Sequence, residues 1–145
     1  LSDFMKSNPQ LANFYMEKYQ TSIKKGNNLQ AQRQELLAKI ERLEQANREL
    51  DQQIENINSL LSNDFSRLEK VDGSRFRGSV KGRFLEKCTH AKQNLMTYQS
   101  KQTSNKGEIS SKIKELQDEA DSLLRKSSMA FTEADSYYSI ALSYS

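Results

Sequence analysis

The stretch LQAQRQELLAKIERLEQANRELDQQIENI, residues 29–57, decides the fold. Leu29, Leu36, Leu43, Leu50 and Ile57 recur every seven residues; Arg33, Ile40, Asn47 and Ile54 fill the interleaved position, which Leu61 and Leu68 continue. Four heptads in unbroken phase signal a coiled coil, because a seven-residue repeat keeps one stripe of a helix turned toward a partner. Upstream, Ser7-Asn8-Pro9 marks a helix start: Asn8 can accept from free backbone N–H groups, and Pro9 at the first helical position loses no needed donor. Between these points Leu11, Tyr15 and Tyr19 carry the stripe and Ser22, Ile23 and Gly26 interrupt it, which predicts a bend near Gly26. Downstream the run reaches Val71 and stops at Asp72-Gly73-Ser74, with Gly78 and Gly82 beyond. A first helix is therefore predicted over about 9–71, a basic turn over 72–79 and a second helix over about 80–144, forming one helical assembly domain over residues 1–145.

The second half repeats the pattern through Phe84, Cys88, Ala91, Leu95, Tyr98, Gln102, Asn105, Ile109 and Ile113. It continues at Leu116, Ala120, Leu123, Ser127, Ala130, Ala134, Tyr137, Ala141 and Tyr144, in spacings of four and three. Gly107 offers a break point, but a stripe that resumes in phase beyond it favours a continuous helix; a corner there is the alternative. Two helical runs joined by a short connection fold back on each other. Pairing positions whose numbers add to 152 matches Leu61 with Ala91, Leu43 with Ile109, and Leu36 with Leu116. The expectation is an all-α fold: an elongated antiparallel hairpin, or coiled coil, of two long helices reaching roughly 90 Å at 1.5 Å per residue. Composition agrees. With 35% hydrophobic and 28% charged residues, five glycines and one proline in 145 residues, the chain lacks the turn residues of a β-sandwich. No run approaches 18 apolar residues, a single cysteine precludes an intrachain disulfide, and no Asn-x-Ser/Thr sequon occurs, which together favour a cytosolic setting. The start at Leu1 carries no signal-peptide pattern and reads as the edge of an excised fragment.

A hairpin buries one stripe per helix, and this sequence has a second: Leu37, Leu60 and Phe65 on the first helix, and Leu85, Met96, Leu124, Phe131, Tyr138 and Leu142 on the second. Scattered exposed apolar residues are ordinary, but a repeated stripe points to partner helices, since burying each large side chain is worth ~1.5–3 kcal/mol. The first seam is also polar in its middle, at Arg33, Asn47, Gln102, Asn105 and Ser127, a pattern that fixes register or admits a third helix. Eight of the twelve aromatic residues, among them Phe14, Tyr15, Tyr19, Phe131, Tyr137 and Tyr138, gather by antiparallel pairing at the open end. They form either a partner site or a local aromatic core. Between Asp72 and Asn105 seven basic residues face two acidic ones, for a local charge of +5. Arg75, Arg77, Lys81 and Arg83 suit either an ordinary solvated loop or anionic lipid headgroups; nucleic acid is disfavoured without interleaved stacking aromatics.

Chemistry is sparse. His90, the one histidine, lies two residues from Cys88, about 200° away on a helix, so the two cannot share a metal. Cys88 reads as a core filler and His90 as a surface residue. No phosphate-cradling glycine loop is present. An enzyme is not expected, nor a cofactor, metal site or small-molecule substrate.

The segments Asn8-Pro9-Gln10-Leu11, Tyr19, Ile23, Asn28-Leu29, Gln32-Arg33, Glu35-Leu36, Lys39-Ile40 and Leu43 resemble the opening of the Mod(r) (modifier-of-rudimentary) domain of ESCRT-I subunits. Leu116-Gln117-Asp118-Glu119-Ala120-Asp121 followed by Ser127-Ser128-Met129-Ala130-Phe131 is similar to that family's later acidic helix and its Ala-x-x-Phe-like close. The resemblance covers about half of the chain; residues 79–104 have no counterpart, and Phe131-Thr132-Glu133 continues as helix where the family has a Phe-Leu-x-Gly-x turn. It implies a non-catalytic structural subunit assembled with a ubiquitin-binding UEV-type subunit and a second small helical subunit. Such a complex sorts ubiquitinated membrane cargo into multivesicular bodies and is cytoplasmic, peripheral to the endosomal membrane. A coiled-coil tether, a SNARE-related or kinetochore scaffold, and a membrane-surface module led by the basic turn share the periodic features.

Overall fold

In the computed structural model, which describes residues 7–70 and 78–145, the chain is an all-α hairpin. Its elements are α1 (Pro9–Ser59), a π-helical turn (Leu60–Asp64), α2 (Phe65–Glu69) and α3 (Ser79–Ser143). No strand occurs among the described residues.

The first helix starts where its cap residue predicts. Asn8 Oδ1 accepts from the Leu11 N–H at 3.2 Å, and the Asn8 carbonyl accepts the first helical bond from Ala12 at 2.9 Å. The Asn8 N–H donates to the Tyr144 carbonyl at 2.8 Å, which ties the start of α1 to the end of α3 and satisfies one of the carbonyls a helix end leaves open. Gly78 precedes α3 at φ +64°, a left-handed conformation that favours glycine, and its carbonyl accepts from the Gly82 N–H at 3.3 Å.

Three expectations about the helices are corrected or decided. Gly26 does not interrupt the first helix: α1 stays helical from Pro9 to Ser59, and Gly26 is the seat of an aromatic ring, described below. Gly107 does not break α3, and open space surrounds the place where its Cβ would stand. The first helix does not run unbroken to Val71, because the π-helical turn takes up one residue more than an α-turn; the Phe65 N–H reaches back five residues to the Leu60 carbonyl. That extra residue rotates the helical segment beyond it. The inward stripe passes from Ile57 and Leu61 to Phe65 and Ser66, and Leu68, expected in the seam, is 40% exposed. Val71 and the predicted turn through residue 77 lie outside the described residues.

The hairpin divides into two compact units, one holding the chain up to Glu41 with Lys114–Ser145, the other Arg42–Ile113. In the first unit the buried apolar residues are Ile40, Leu116, Ala120, Leu123, Ala130, Ala134 and Ala141, joined by Ser22 and Ser127. Ala120, Ser127, Ala134 and Ala141 stand seven residues apart, so one stripe of α3 carries only small side chains and lets its partner helix approach closely. Ser127, 2% exposed, fits because its Oγ donates to the Leu124 carbonyl at 2.9 Å.

In the second unit the buried apolar residues are Ile57 and Cys88 alone among those described. Polar side chains bridge its helices: Asn47 Nδ2 donates to Ser110 Oγ at 2.9 Å, Lys106 pairs with Asp51, and Gln99 Nε2 donates to Asn58 Oδ1. In each of these pairs the residue numbers add to 157, as they do for Gly26 against Phe131 and Tyr19 against Tyr138 in the first unit. The expected sum of 152 recurs for Tyr15 with Tyr137 and Asn8 with Tyr144, but Tyr15 also stacks on Tyr144, for a sum of 159, so the ring and polar pairs of both units stand about one turn from the expected register.

The inner stripe of α3 is corrected with it. Lys92, Gln99 and Lys106 are half-buried where Ala91, Tyr98 and Asn105 were expected, and those three are exposed. Carrying the four-and-three alternation of Ile109, Ile113 and Leu116 backward gives Lys106, Gln102, Gln99, Leu95, Lys92 and Cys88. A continuous helix keeps that phase, and the lysine stems supply the apolar contact.

Candidate interaction surfaces

At the end of the first unit the aromatic residues named from sequence come together. Tyr15 stacks on Tyr137 at 6.3 Å and on Tyr144 at 6.0 Å between ring centroids, Phe14 meets Tyr15 edge-on at 5.2 Å, and Tyr19 lies 5.2 Å from Tyr138. Lys18 Nζ stands 5.4 Å over the Phe14 ring, so a cation covers part of its outer face. Tyr15, Tyr19 and Tyr137 are half-buried in this cluster, which makes it a local aromatic core, while Phe14 and Tyr138 keep an exposed side.

Phe131 is the residue whose role changes. Read from sequence as part of an outer stripe, it is half-buried, its ring laid over Gly26 so closely that a Cβ there would come within 2.7 Å of Cε1 and Cζ. Glycine is needed at position 26 for this close approach. Leu37 is also half-buried. Leu124 and Leu142, by contrast, are exposed, Leu142 at 52%. Leu124, Phe131 and Tyr138 are spaced by seven, so they share one flank of α3, and Leu124 borders a depression with Gln30, Ala31, Arg33 and Gln34. Arg33 Nε is buried there without a hydrogen-bond partner.

A second flank was not anticipated. Met129, 67% exposed, stands among Lys25, Leu29, Lys126, Ala130 and Glu133. Its signal was available: with Ala130 fixed in the seam, the preceding position must turn outward, and a methionine there is an adaptable apolar contact.

In the second unit Leu60 is exposed within the π-helical turn and Phe65 is half-buried just after it; Leu85 and Met96 of the expected outer stripe are exposed. Lys81 and Arg83 are exposed on the first turns of α3, whereas Arg75 and Arg77 lie outside the described residues. The polar seam residues divide: Asn47 and Gln102 are half-buried, and Asn105, exposed, donates to Gln102 Oε1 at 3.4 Å. Asn47 Oδ1 is buried without a partner even though its Nδ2 reaches Ser110.

Cys88 is buried and His90 exposed, as their helical separation requires, with His90 Nε2 3.9 Å from the Glu86 carboxylate. No group of three or more metal-binding side chains converges among the described residues, and no described helix is long and apolar enough to cross a membrane. No protein-family model and no curated protein matches the chain.

Proposed function

We propose that the chain is a non-catalytic structural subunit of a heteromeric helical complex, and that the complex is ESCRT-I, sorting ubiquitinated cargo at the endosomal membrane. The observation that carries the scaffold reading is the apolar surface left over after the hairpin has packed: Leu124, Tyr138 and Leu142 remain exposed on the first unit although its seam is filled. Each such side chain, about half exposed, forgoes roughly half of the ~1.5–3 kcal/mol of full burial until a partner covers it. An amphipathic helix laid along that flank is the simplest cover, since apolar residues at helical spacing are read by a helix of the same pitch. The choice of ESCRT-I rests on the sequence resemblance in residues 8–43 and 116–131, and UEV-type and small helical subunits are then the partners.

Co-expression with those two subunits tests both parts. The expected result is a single co-purifying complex with higher helicity than the separate chains and one cooperative melt. Leu124→Asp with Leu142→Asp should detach the partners while leaving the helical signal of the hairpin, because a carboxylate is costly to bury unpaired. Phe131→Asp is not equivalent, since it attacks the Gly26 contact inside the hairpin. A chain that stays monomeric and melts sharply alone, with no uptake of partners, contradicts the scaffold reading; uptake of helical partners other than ESCRT-I subunits contradicts only the named complex.

A further inference from the structure

The net charge of +3 is unevenly spread. Between Ser79 and Gly107 six Lys and Arg residues face the single carboxylate of Glu86, so this stretch carries +5 and the rest of the chain −2. All of it belongs to α3. Lys106 is engaged with Asp51 and Lys92 is half-buried, but Lys81, Arg83, Lys87 and Lys101 are exposed, with no ion pair among the described residues.

Three of those four cations share a face. At 100° per residue, Val80, Arg83, Lys87, His90, Tyr98 and Lys101 fall within an arc of about 80° that flanks the seam, with Val80 and Tyr98 on its side nearer Leu95 and Gln102 and the cations farther out. Glu86 lies about 40° outside the arc with its carboxylate 3.9 Å from His90 Nε2, and Glu108 falls on the arc's edge beyond Lys101. Val80 is 57% exposed and Tyr98 46%, so apolar and aromatic groups are interleaved with the cations.

We infer that this face of α3 is a docking surface for an anionic lipid bilayer. Arg83, Lys87 and Lys101 meet headgroup phosphates and carboxylates, while Val80 and Tyr98 enter the interfacial layer, where an aliphatic group and an amphipathic ring both gain. The cations extend over 18 residues, roughly 27 Å along the helix, a length matched by a flat charged surface. Nucleic acid fits less well: a single-strand groove uses a series of stacking aromatics and this face has Tyr98 alone, and an exposed valine has no role against a phosphate backbone. The surface goes beyond the scaffold proposal and does not depend on it.

Vesicle co-sedimentation of the full chain tests the inference, with phosphatidylserine-containing against pure phosphatidylcholine vesicles at low and high salt. Binding should require phosphatidylserine and fall steeply with salt. Combined Arg83→Glu, Lys87→Glu and Lys101→Glu should weaken it about 100-fold, from the strength of single basic residues at such a surface. A control of the same charge change, Lys24→Glu, Lys25→Glu and Arg125→Glu, should bind nearly as the unaltered chain does, with circular dichroism verifying that both variants are helical. Equal binding to neutral vesicles, equal losses in the two variants, or no vesicle binding beside salt-sensitive binding to duplex DNA would each overturn the proposal. Partner co-purification by the first variant reads the scaffold proposal separately, since those three residues lie off the Leu124, Tyr138 and Leu142 flank.

Discussion

The two units solve one packing problem with different materials. Through the first, α1 offers Ser22 and Gly26 and α3 offers Ala120, Ser127, Ala130, Ala134 and Ala141, all buried, with Leu116, Leu123 and Ile40 filling the larger gaps. Through the second, the contacts named between helices are an amide to a hydroxyl, an amide to an amide, and an ammonium to a carboxylate, all with exposure to water. Small side chains permit a close, dry seam held by dispersion and burial. Exposed polar pairs contribute only ~0.2–1 kcal/mol each, yet they are directional and so discriminate one register from another. Stability is thus concentrated in the first unit and alignment in the second. Amides of the second unit should therefore exchange with solvent faster than those of the first.

The sharpest way to break the contrast is to damage the dry seam. Leu116→Ala removes a buried side chain and should cost ~2–5 kcal/mol, lowering the thermal midpoint of the whole chain; a loss below ~1 kcal/mol would mean that the seam collapses around the gap. Next come two glycines with opposite expected signs. Gly26→Ala forces Phe131 aside, at ~1–3 kcal/mol against a helix-propensity gain of ~1, and combining it with Phe131→Leu should recover most of the loss. Gly107→Ala meets nothing and should stabilise by ~0.5–1 kcal/mol. Differential scanning calorimetry on the three variants resolves these signs. The smallest effect belongs to the second unit: Lys106→Met should change stability by less than ~1 kcal/mol and reduce its salt dependence. A larger loss would show that the Asp51 pair contributes stability as well as alignment.

Much of this was legible from residue spacing. Asn8 and Pro9 announce the first cap, the leucine heptad in residues 29–57 announces the hairpin, and the separation of Cys88 from His90 rules out a shared site. What escaped were the features set by geometry between helices. A glycine in a helical run looks like a weak point, and nothing in one sequence says that an aromatic ring 105 positions later rests on it. Weighting apolar residues placed Ala91 and Tyr98 inward, whereas the phase of a long helix is carried by its strongest segment, here Leu116–Ala141, and polar residues elsewhere must conform to it. Of the exposed apolar flank, Leu124, Tyr138 and Leu142 were readable from their outward positions; Phe131 was not, because its turn inward depends on the missing side chain at Gly26.

The π-helical turn at Leu60–Asp64 makes the chain one residue longer than an uninterrupted helix needs to reach Glu69. Such a surplus is how a helix absorbs a single-codon insertion without shifting everything beyond it along the partner. Excising Ser62 would reverse that event: the segment would rewind as α-helix, with Phe65 keeping its inward place and Leu68 its outward one. One amino acid of contour length is thus taken up within a single turn, and the residues that lead into the basic connection keep their facing.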